Sequence, residues 1–352
     1  MISRTQGILL MVLGTMALAA SASIIAAIDG EPLSVAAWRC LFAVPMLAPF
    51  AWWEYRRHRI AHDRSRGERR SRERSPAGPE AHTGAGSAVT ADAGTATFIP
   101  RRTIIGATVA GVALGADYSF YNVAIEGIGP GLATVLINLQ LVILPLIAWA
   151  VDGVRPMRQL AVIVPLMLFG VIMTAGIFAP SASSAPGASG TGVPLSGVLA
   201  GIAAGAGYAT YLAIIRRTAP TTSRPAPFTV LATVCLSAGL VCLLGAAVSG
   251  RLSVPHTAPE WGWLLALALI GQVITYLCFN TAMTAITETA SSTLMLLSAV
   301  FALAMAAIFF GELPTVWQLV GCALILAGAW WASMLAARHA RAVRRLHGTG
   351  KP

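Results

Sequence analysis

Two charged residues lie deep inside apolar stretches of this sequence. Neither Arg39 nor Asp117 has another charged residue within seven positions on either side. Charges in such surroundings are costly and are functional by default. A guanidinium and a carboxylate at similar depth could form an ion pair that only holds two helices together. They could also act as a gate or as a site that exchanges a proton.

Tyrosines and amides form a second group of candidates. Tyr118 and Asn122 are four positions apart, as are Tyr276 and Asn280, so each pair shares one helix face. Such a face could bind a mildly polar solute, such as a zwitterion or a neutral metabolite, or only a neighbouring helix. The candidate binding residues are therefore Tyr118, Asn122, Asn138, Gln272, Tyr276 and Asn280.

The elements that carry these residues are predicted to be transmembrane helices. The 352 residues are 56% hydrophobic and only 11% charged, against about a quarter charged in a soluble domain. A span needs about 20 mostly apolar residues and must be helical, because lipid offers no partner for open backbone groups. Ten spans are predicted at 6–28, 33–55, 103–125, 130–151, 158–178, 194–215, 227–248, 260–283, 289–310 and 315–337.

The depth of the two charges follows from these spans. Arg39 lies about seven residues from the outer end of span two, and Asp117 about eight residues from the outer end of span three. At 1.5 Å per residue, both lie roughly 10–12 Å below the outer boundary. Sequential antiparallel spans can touch, so we expect Arg39 and Asp117 to form a pair. Alternatively, Arg39 extends to the outer surface.

Arginines indicate the orientation in the membrane. If ten spans alternate, nearly all basic loop residues fall on one side and Arg251 is the one basic residue on the other. The positive-inside rule then places both termini in the cytoplasm of a multi-pass protein of the bacterial plasma (inner) membrane. The net charge of +10 follows this loop pattern, so we do not expect nucleic-acid binding.

Two segments outside the spans divide the chain. Residues 57–100 are rich in Arg, Glu, Ser and Gly, and are predicted to be a disordered cytoplasmic insertion. Residues 179–193 are predicted to be an outer linker. We therefore expect a first five-helix repeat at 1–178, a second at 194–337 and a basic cytoplasmic tail at 338–352.

A weak internal repeat supports this division. Shifting span three by 158 positions places Tyr118 on Tyr276 and Asn122 on Asn280. Because each half has five spans, the second half enters the membrane from the opposite side. Inverted repeats of this kind are typical of secondary transporters. We therefore predict an all-α membrane protein of about ten transmembrane helices arranged as two inverted five-helix repeats.

The sequence resembles the EamA-type branch of the drug/metabolite transporter superfamily. Besides the five-plus-five layout, the residues that carry the likeness are the pair Trp38-Arg39 in span two and the group Phe310, Gly311, Glu312, Gln318, Gly321 and Gly328. A degraded copy, Val151-Asp152-Gly153 followed by Gln159, stands in the first half. The resemblance implies a secondary carrier, often an exporter of amino acids or other metabolites.

The expected partners follow from this reading. We expect a small-molecule substrate, membrane lipids and a proton as coupling ion, with Asp117 and Arg39 in coupling or gating, in a monomer or homodimer. No cofactor, metal or catalytic residue is expected, and no histidine lies inside a predicted span. The alternative is an integral-membrane enzyme acting on lipid-linked substrates, although the chain has no DxxD-type acid pair at a membrane edge to hold Mg²⁺.

Overall fold

The computed structural model describes residues 3–28, 30–74, 100–153, 158–174, 194–218, 226–283, 285–286, 288–311 and 314–348. In these ranges the ordered elements are all helical. Along the chain they are α1 (Arg4–Ala27), α2 (Pro32–Arg74), α3 (Arg101–Ile137), α4 (Gln140–Asp152), α5 (Leu160–Thr174), α6 (Leu195–Thr218), α7 (Pro227–Val248), α8 (Ala258–Ala268), a π-helical segment (Leu269–Ile274), α9 (Thr275–Ala282), α10 (Glu288–Met295), α11 (Leu297–Phe310) and α12 (Val316–Gly348).

The helices confirm an all-α membrane fold. Within the described ranges, seven helices are long and apolar enough to cross a membrane. Three shorter apolar helices accompany them, at Gln140–Val151, Leu160–Thr174 and Leu297–Phe310. These ten apolar helices correspond in order to the ten predicted spans.

Helix α3 contains a turn that separates predicted spans three and four. Gly129 has φ 79° and ψ 159°, a conformation that glycine adopts without a steric penalty, and Pro130 follows it. The hydroxyl groups of Tyr121 and Thr134 are 2.6 Å apart. In a straight helix, residues 13 positions apart would be separated by about 20 Å. The chain therefore folds back at Gly129, and its next eight residues begin the fourth span.

The two halves interrupt their helices at equivalent places. The helix between Gly129 and Asp152 breaks at Asn138 and Leu139, and the helix of span nine breaks at Leu296, which is 158 positions after Asn138. Further along, α4 and α11 end at Gly153 (φ 67°) and Gly311 (φ 66°), again 158 positions apart. Helix breaks and caps are features of the backbone. The two halves therefore resemble each other in backbone conformation as well as in residue identity.

The predicted disorder of the insertion is wrong for its first part. Helix α2 continues through Arg74, so residues 57–74 are helical. Starting a helix is unfavourable, whereas extending one is not, and span two is already helical. The sequence that follows is rich in Arg and Glu, which are good helix formers, so the helix continues into it. Residues 75–99 lie outside the described ranges. In the basic tail, α12 likewise continues to Gly348.

Small residues allow the helices to approach closely. Helix α3 packs against α6 and α7, α2 against α7, and α5 against α12. A Cβ atom at Gly201 would lie 2.8 Å from Leu136, and one at Gly205 would lie 3.3 Å from the carbonyl oxygen of Ile137. The spacing of glycines in α6 therefore serves packing inside the monomer, as small residues do in membrane bundles.

A buried carboxylate joins α2 to α7. Glu54 accepts hydrogen bonds from the backbone N–H groups of Phe228 (3.0 Å) and Thr229 (3.0 Å), and from the Thr229 hydroxyl (2.9 Å). These are N–H groups of the first turn of α7, which have no partner within the helix. The acid thus caps the start of α7 and ties it to α2, the corresponding helix of the first half.

Gly321 on α12 provides a test of the close contact with α5. A Cβ atom there would lie 2.6 Å from the carbonyl oxygen of Gly170 and 2.8 Å from the backbone nitrogen of Thr174. Because both neighbours are backbone atoms, we expect Gly321→Ala to destabilise the protein by about 1–3 kcal/mol, as overpacking does. Thermal unfolding of the purified protein in detergent measures this.

The matched control is Gly262→Ala on α8, where an added Cβ meets nothing within 4 Å. We expect this variant to unfold at or above the wild-type temperature, because alanine favours helix over glycine. Equal unfolding temperatures for the two variants would contradict the close contact between α5 and α12.

Candidate functional site

Arg39 is buried on α2 and stacks on a tyrosine of α3. Its side chain is 3% exposed, and its guanidinium carbon lies 3.7 Å from the centre of the Tyr118 ring. A cation over an aromatic face gains about 2 kcal/mol when it is removed from water. The ring uses only one face of the guanidinium, and the Nε and Nη1 atoms are buried without a hydrogen-bond partner in the protein.

Asp117 is buried on α3 beside Tyr118. It is 1% exposed, and neither carboxylate oxygen has a hydrogen-bond partner in the protein. Gly207 of α6 makes this burial possible, since a Cβ atom there would lie 3.0 Å from the Asp117 backbone nitrogen. The structure therefore places Asp117 at a close contact between α3 and α6.

The direct pair between Arg39 and Asp117 is not formed in this conformation. Among the described residues, Arg39 and Asp117 have no nitrogen and oxygen atoms within 4.0 Å of each other. The ion pair found at such a distance joins Arg251 to Glu31 at the surface, at 3.8 Å. Arg39 is oriented towards the Tyr118 ring. The alternative in which Arg39 extends to the outer surface is wrong, because the side chain is buried.

Gln272 connects the second half of the chain to this site. It is fully buried, and its Nε2 atom donates a 2.8 Å hydrogen bond to the Tyr118 hydroxyl. Gln272 lies in the π-helical segment Leu269–Ile274, where Thr275 donates to the carbonyl of Ile270, five residues back. Short π-helical turns are rare in proteins, and those that do occur are often found at functional sites. The first half has a regular helix at the equivalent positions.

Four tyrosines from three helices meet beside Gln272. Tyr276 of α9 approaches Tyr118 of α3 and both Tyr208 and Tyr211 of α6, whose ring centres are 5.5 Å apart. Tyr208 and Tyr276 are half-buried, whereas Tyr118 and Tyr211 are buried. We call Tyr118, Tyr208, Tyr211 and Tyr276 the tyrosine cluster.

Two members of the tyrosine cluster were not among the sequence candidates. Tyr208 and Tyr211 are three positions apart in span six, so they share a helix face. That spacing is the same kind of signal that identified Tyr118 and Asn122. The spacing of Tyr208 and Tyr211 could identify them as site residues only if the face of α6 that packs against α3 were already known.

The predicted asparagines lie in other surroundings. Asn122 is buried and donates a 2.8 Å hydrogen bond to the carbonyl oxygen of Pro32, at the start of α2. Asn138 donates to the carbonyl oxygen of Thr134 (2.9 Å), where the helix of span four breaks. Asn280 is half-buried on α9. Asn122 thus joins two helices, and its Oδ1 atom has no protein partner.

The end of α2 that precedes Arg39 is held by the loop between α7 and α8. The Trp38 indole donates a 3.0 Å hydrogen bond to the carbonyl oxygen of Ser253 and packs edge-on against Trp261, with ring centres 5.8 Å apart. Ser34 accepts a 2.9 Å hydrogen bond from the Ser253 backbone nitrogen. Loop residues 249–257 are thus attached directly to the helix that carries Arg39.

These features define a multi-pass helical membrane protein with a buried polar site between its helices. Residues 195–334 match the EamA-like transporter family, which confirms over the second half of the chain the resemblance inferred from the sequence. The match covers the part of the chain predicted to be the second five-helix repeat.

Comparison with solved structures supports the fold. A structure described as "Crystal structure of protein" is similar over 95% of this chain and 98% of that chain, with a TM-score of 0.50 and 18% identity. At this identity the likeness concerns the fold alone. No curated protein matches the sequence.

The hydrogen bond between Gln272 and Tyr118 can be tested by removing one partner and then both. Tyr118→Phe leaves the fully buried Gln272 amide without its acceptor, which we expect to cost about 1–3 kcal/mol of stability. Adding Gln272→Leu should recover most of that loss, because no polar group is then left unpaired. The unfolding temperatures of the two single variants and the double variant measure the coupling, and strictly additive losses would contradict it.

Proposed function

We propose that this protein is a secondary active transporter that moves small metabolites, such as amino acids or related polar and amphipathic solutes, out across the bacterial plasma membrane. The observation that carries the proposal is a buried site made from both halves of the chain. Gln272 of the second half bonds to Tyr118 of the first, beside Arg39. The outward direction rests on the family resemblance.

We propose alternating access between two inverted repeats, residues 1–178 and 194–337. The shared helix breaks and caps support the repeat, since they recur at a spacing of 158 residues. In such carriers the site lies near the middle of the membrane, at the junction of the repeats. Rocking of one repeat against the other would open the tyrosine cluster first to one side and then to the other.

Within this mechanism, Tyr118, Gln272 and Tyr276 bind the solute, together with Tyr208 and Tyr211. Asn122, Asn138 and Asn280 remain proposed members of the translocation path. Asp117 and Arg39 serve in coupling or gating, with a proton as the coupling ion. The Trp38 indole and its bond to Ser253 hold the outer end of α2 against the loop at 249–257.

The second candidate function is an integral-membrane enzyme that acts on lipid-linked substrates. The transporter is favoured because the polar site is built across the two halves, as alternating access requires. Purified protein in liposomes distinguishes the two functions. A carrier releases a solute unchanged from loaded vesicles, whereas an enzyme produces a chemically altered molecule.

Substitution of Asp117 tests its role in coupling. We expect Asp117→Asn to abolish accumulation driven by a proton gradient and to preserve solute exchange, which needs no net proton movement. The solute is the one most depleted in cells that overproduce the protein, and labelled uptake into proteoliposomes provides the measurement. Glu126→Gln, which changes an exposed acid on α3, is the control and should behave as wild type.

An Asp117→Asn variant with wild-type accumulation would remove Asp117 from coupling. If the acid instead serves only to balance Arg39, the variant would leave a buried charge unpaired, at about 3–5 kcal/mol, and little folded protein would reach the membrane. Measuring the amount of protein beside its activity separates these outcomes.

Cysteine labelling tests the proposed orientation. The five native cysteines are buried, so the wild-type protein should react little with a membrane-impermeant maleimide. We expect Arg251→Cys in the α7–α8 loop to be labelled in intact cells, and Arg102→Cys at the start of α3 to be labelled only after the cells are opened. The reverse pattern would contradict cytoplasmic termini.

A further inference from the structure

An open groove lies between the start of α3 and the end of α6. Its volume is about 610 Å³, which is in the range of small-molecule sites. Ile105 and Val109 of α3 and Ile214 of α6 line it, and its walls are almost entirely apolar. Gly106 allows the two helices to approach beside the groove, because a Cβ atom at this position would collide with the Thr218 side chain.

The α3 wall of the groove faces away from the helix bundle. Ile105 is 53% exposed and Val109 is 50% exposed, and Val112 continues the same helix face at 46%. Helix α3 is long and apolar enough to cross a membrane, so this exposed apolar face is in contact with lipid. The groove is therefore open to the hydrocarbon of the bilayer along one side.

Clustered arginines lie at the end of the groove nearest the helix termini. Arg101 and Arg102 line it, and the last turn of α6 adds Arg216 and Arg217. All four are exposed, and among the described residues neither Arg101 nor Arg102 forms an ion pair within 4.0 Å. Helix α6 contains no acidic residue, and the first one in α3 is Asp117, roughly 22 Å further along the axis. The positive charge at this end is therefore not compensated within the two helices.

These two features together require an amphiphilic occupant. A free anion would bind the arginines and leave the apolar walls unused. A peptide would bring backbone groups into hydrocarbon, where they have no hydrogen-bond partner. A phospholipid with a net negative headgroup supplies both parts, since its phosphate accepts charge-assisted hydrogen bonds from arginine and its acyl chain covers the walls. A zwitterionic lipid would add an ammonium group beside the arginines and is less favourable.

We propose that this groove binds a phospholipid with a net negative headgroup, such as phosphatidylglycerol. Arg101 and Arg102 hold the phosphate, and one acyl chain lies along Ile105, Val109 and Ile214. With the orientation proposed above, the headgroup is in the cytoplasmic leaflet, where basic pockets between transmembrane helices bind such lipids. The site is independent of which solute the protein moves, and it joins the two helices that contribute most residues to the tyrosine cluster.

The test uses the full-length protein in phosphatidylcholine liposomes that contain a small fraction of phosphatidylglycerol with a photoactivatable group in its acyl chain. After illumination, digestion and mass spectrometry identify the labelled residues. We expect labels at Ile105, Val109 or Ile214. Replacing part of the phosphatidylcholine by unlabelled phosphatidylglycerol should reduce this labelling, because the two negative lipids compete. Unchanged labelling would mean that the groove does not select the headgroup, and would overturn the proposal.

The same experiment distinguishes the other possible occupants. Loss of labelling when inorganic phosphate is added at constant ionic strength would assign the arginines to a free anion and overturn the proposal. Absence of labels in the groove would overturn it as well. Labels that appear only after deletion of residues 75–99 would assign the groove to that segment, and an unlabelled groove in a dimeric protein would assign it to a second copy of the chain.

A pair of double variants separates a site from general attraction to a negative surface. We expect Arg101→Gln with Arg102→Gln to lower the apparent affinity for phosphatidylglycerol, measured from the competition, about 10- to 30-fold, since each arginine near the surface contributes about fivefold. The control, Arg56→Gln with Arg57→Gln, removes two exposed charges at the same side of the bundle, where they stack on tryptophans of α2. Equal losses in both double variants would overturn the proposal.

A second matched pair tests the position of the acyl chain. Val109→Trp fills the groove from an exposed position, and we expect it to abolish labelling at Ile214. Val112→Trp adds the same bulk one turn further along the exposed face, outside the groove, and should label as wild type. Unchanged labelling at Ile214 in the Val109 variant would overturn the proposal. If the double arginine variant is too unstable to purify, this pair decides, because both substitutions are on the lipid-facing surface.

Discussion

Lipid offers no hydrogen-bond partner to the backbone, and the rest of this structure depends on that constraint. Every amide and carbonyl in the membrane must be paired within a helix or by a side chain. The chain therefore runs as helices, and its interruptions occur at few places. At Asn138 the side chain itself bonds a helix carbonyl, that of Thr134, where the helix of span four breaks. The corresponding break in the second half lies at Leu296.

Close packing then determines where polar groups can be placed. Gly207 brings α6 against the backbone of Asp117, and Gly205 of the same helix lies against Ile137. In the second half, the π-helical segment places Gln272 against Tyr118. Small residues and one irregular turn thus bring together a carboxylate, an amide and four tyrosines, in a bundle whose surface remains apolar.

The polar site contains two buried charged side chains, those of Arg39 and Asp117. A buried arginine and a buried aspartate would ordinarily be expected to neutralise each other, because unpaired charges are costly away from water. Here Tyr118 holds the guanidinium by its ring face, and the carboxylate stands apart. The two buried side chains therefore do not neutralise each other by direct contact.

The sequence alone determined the class of the protein, the ten apolar spans and the two buried charges, because hydropathy and the scarcity of charge are local properties. It also indicated the internal repeat. Composition misled for residues 57–74, where the helix of a span continues into polar sequence. Only the tertiary structure decided that Tyr208 and Tyr211 join the site, that Asn122 bonds to the start of α2, and that Arg39 stacks on Tyr118 rather than pairing with Asp117. These outcomes depend on which face each helix turns to its neighbours, and that is set by packing between residues far apart in the chain.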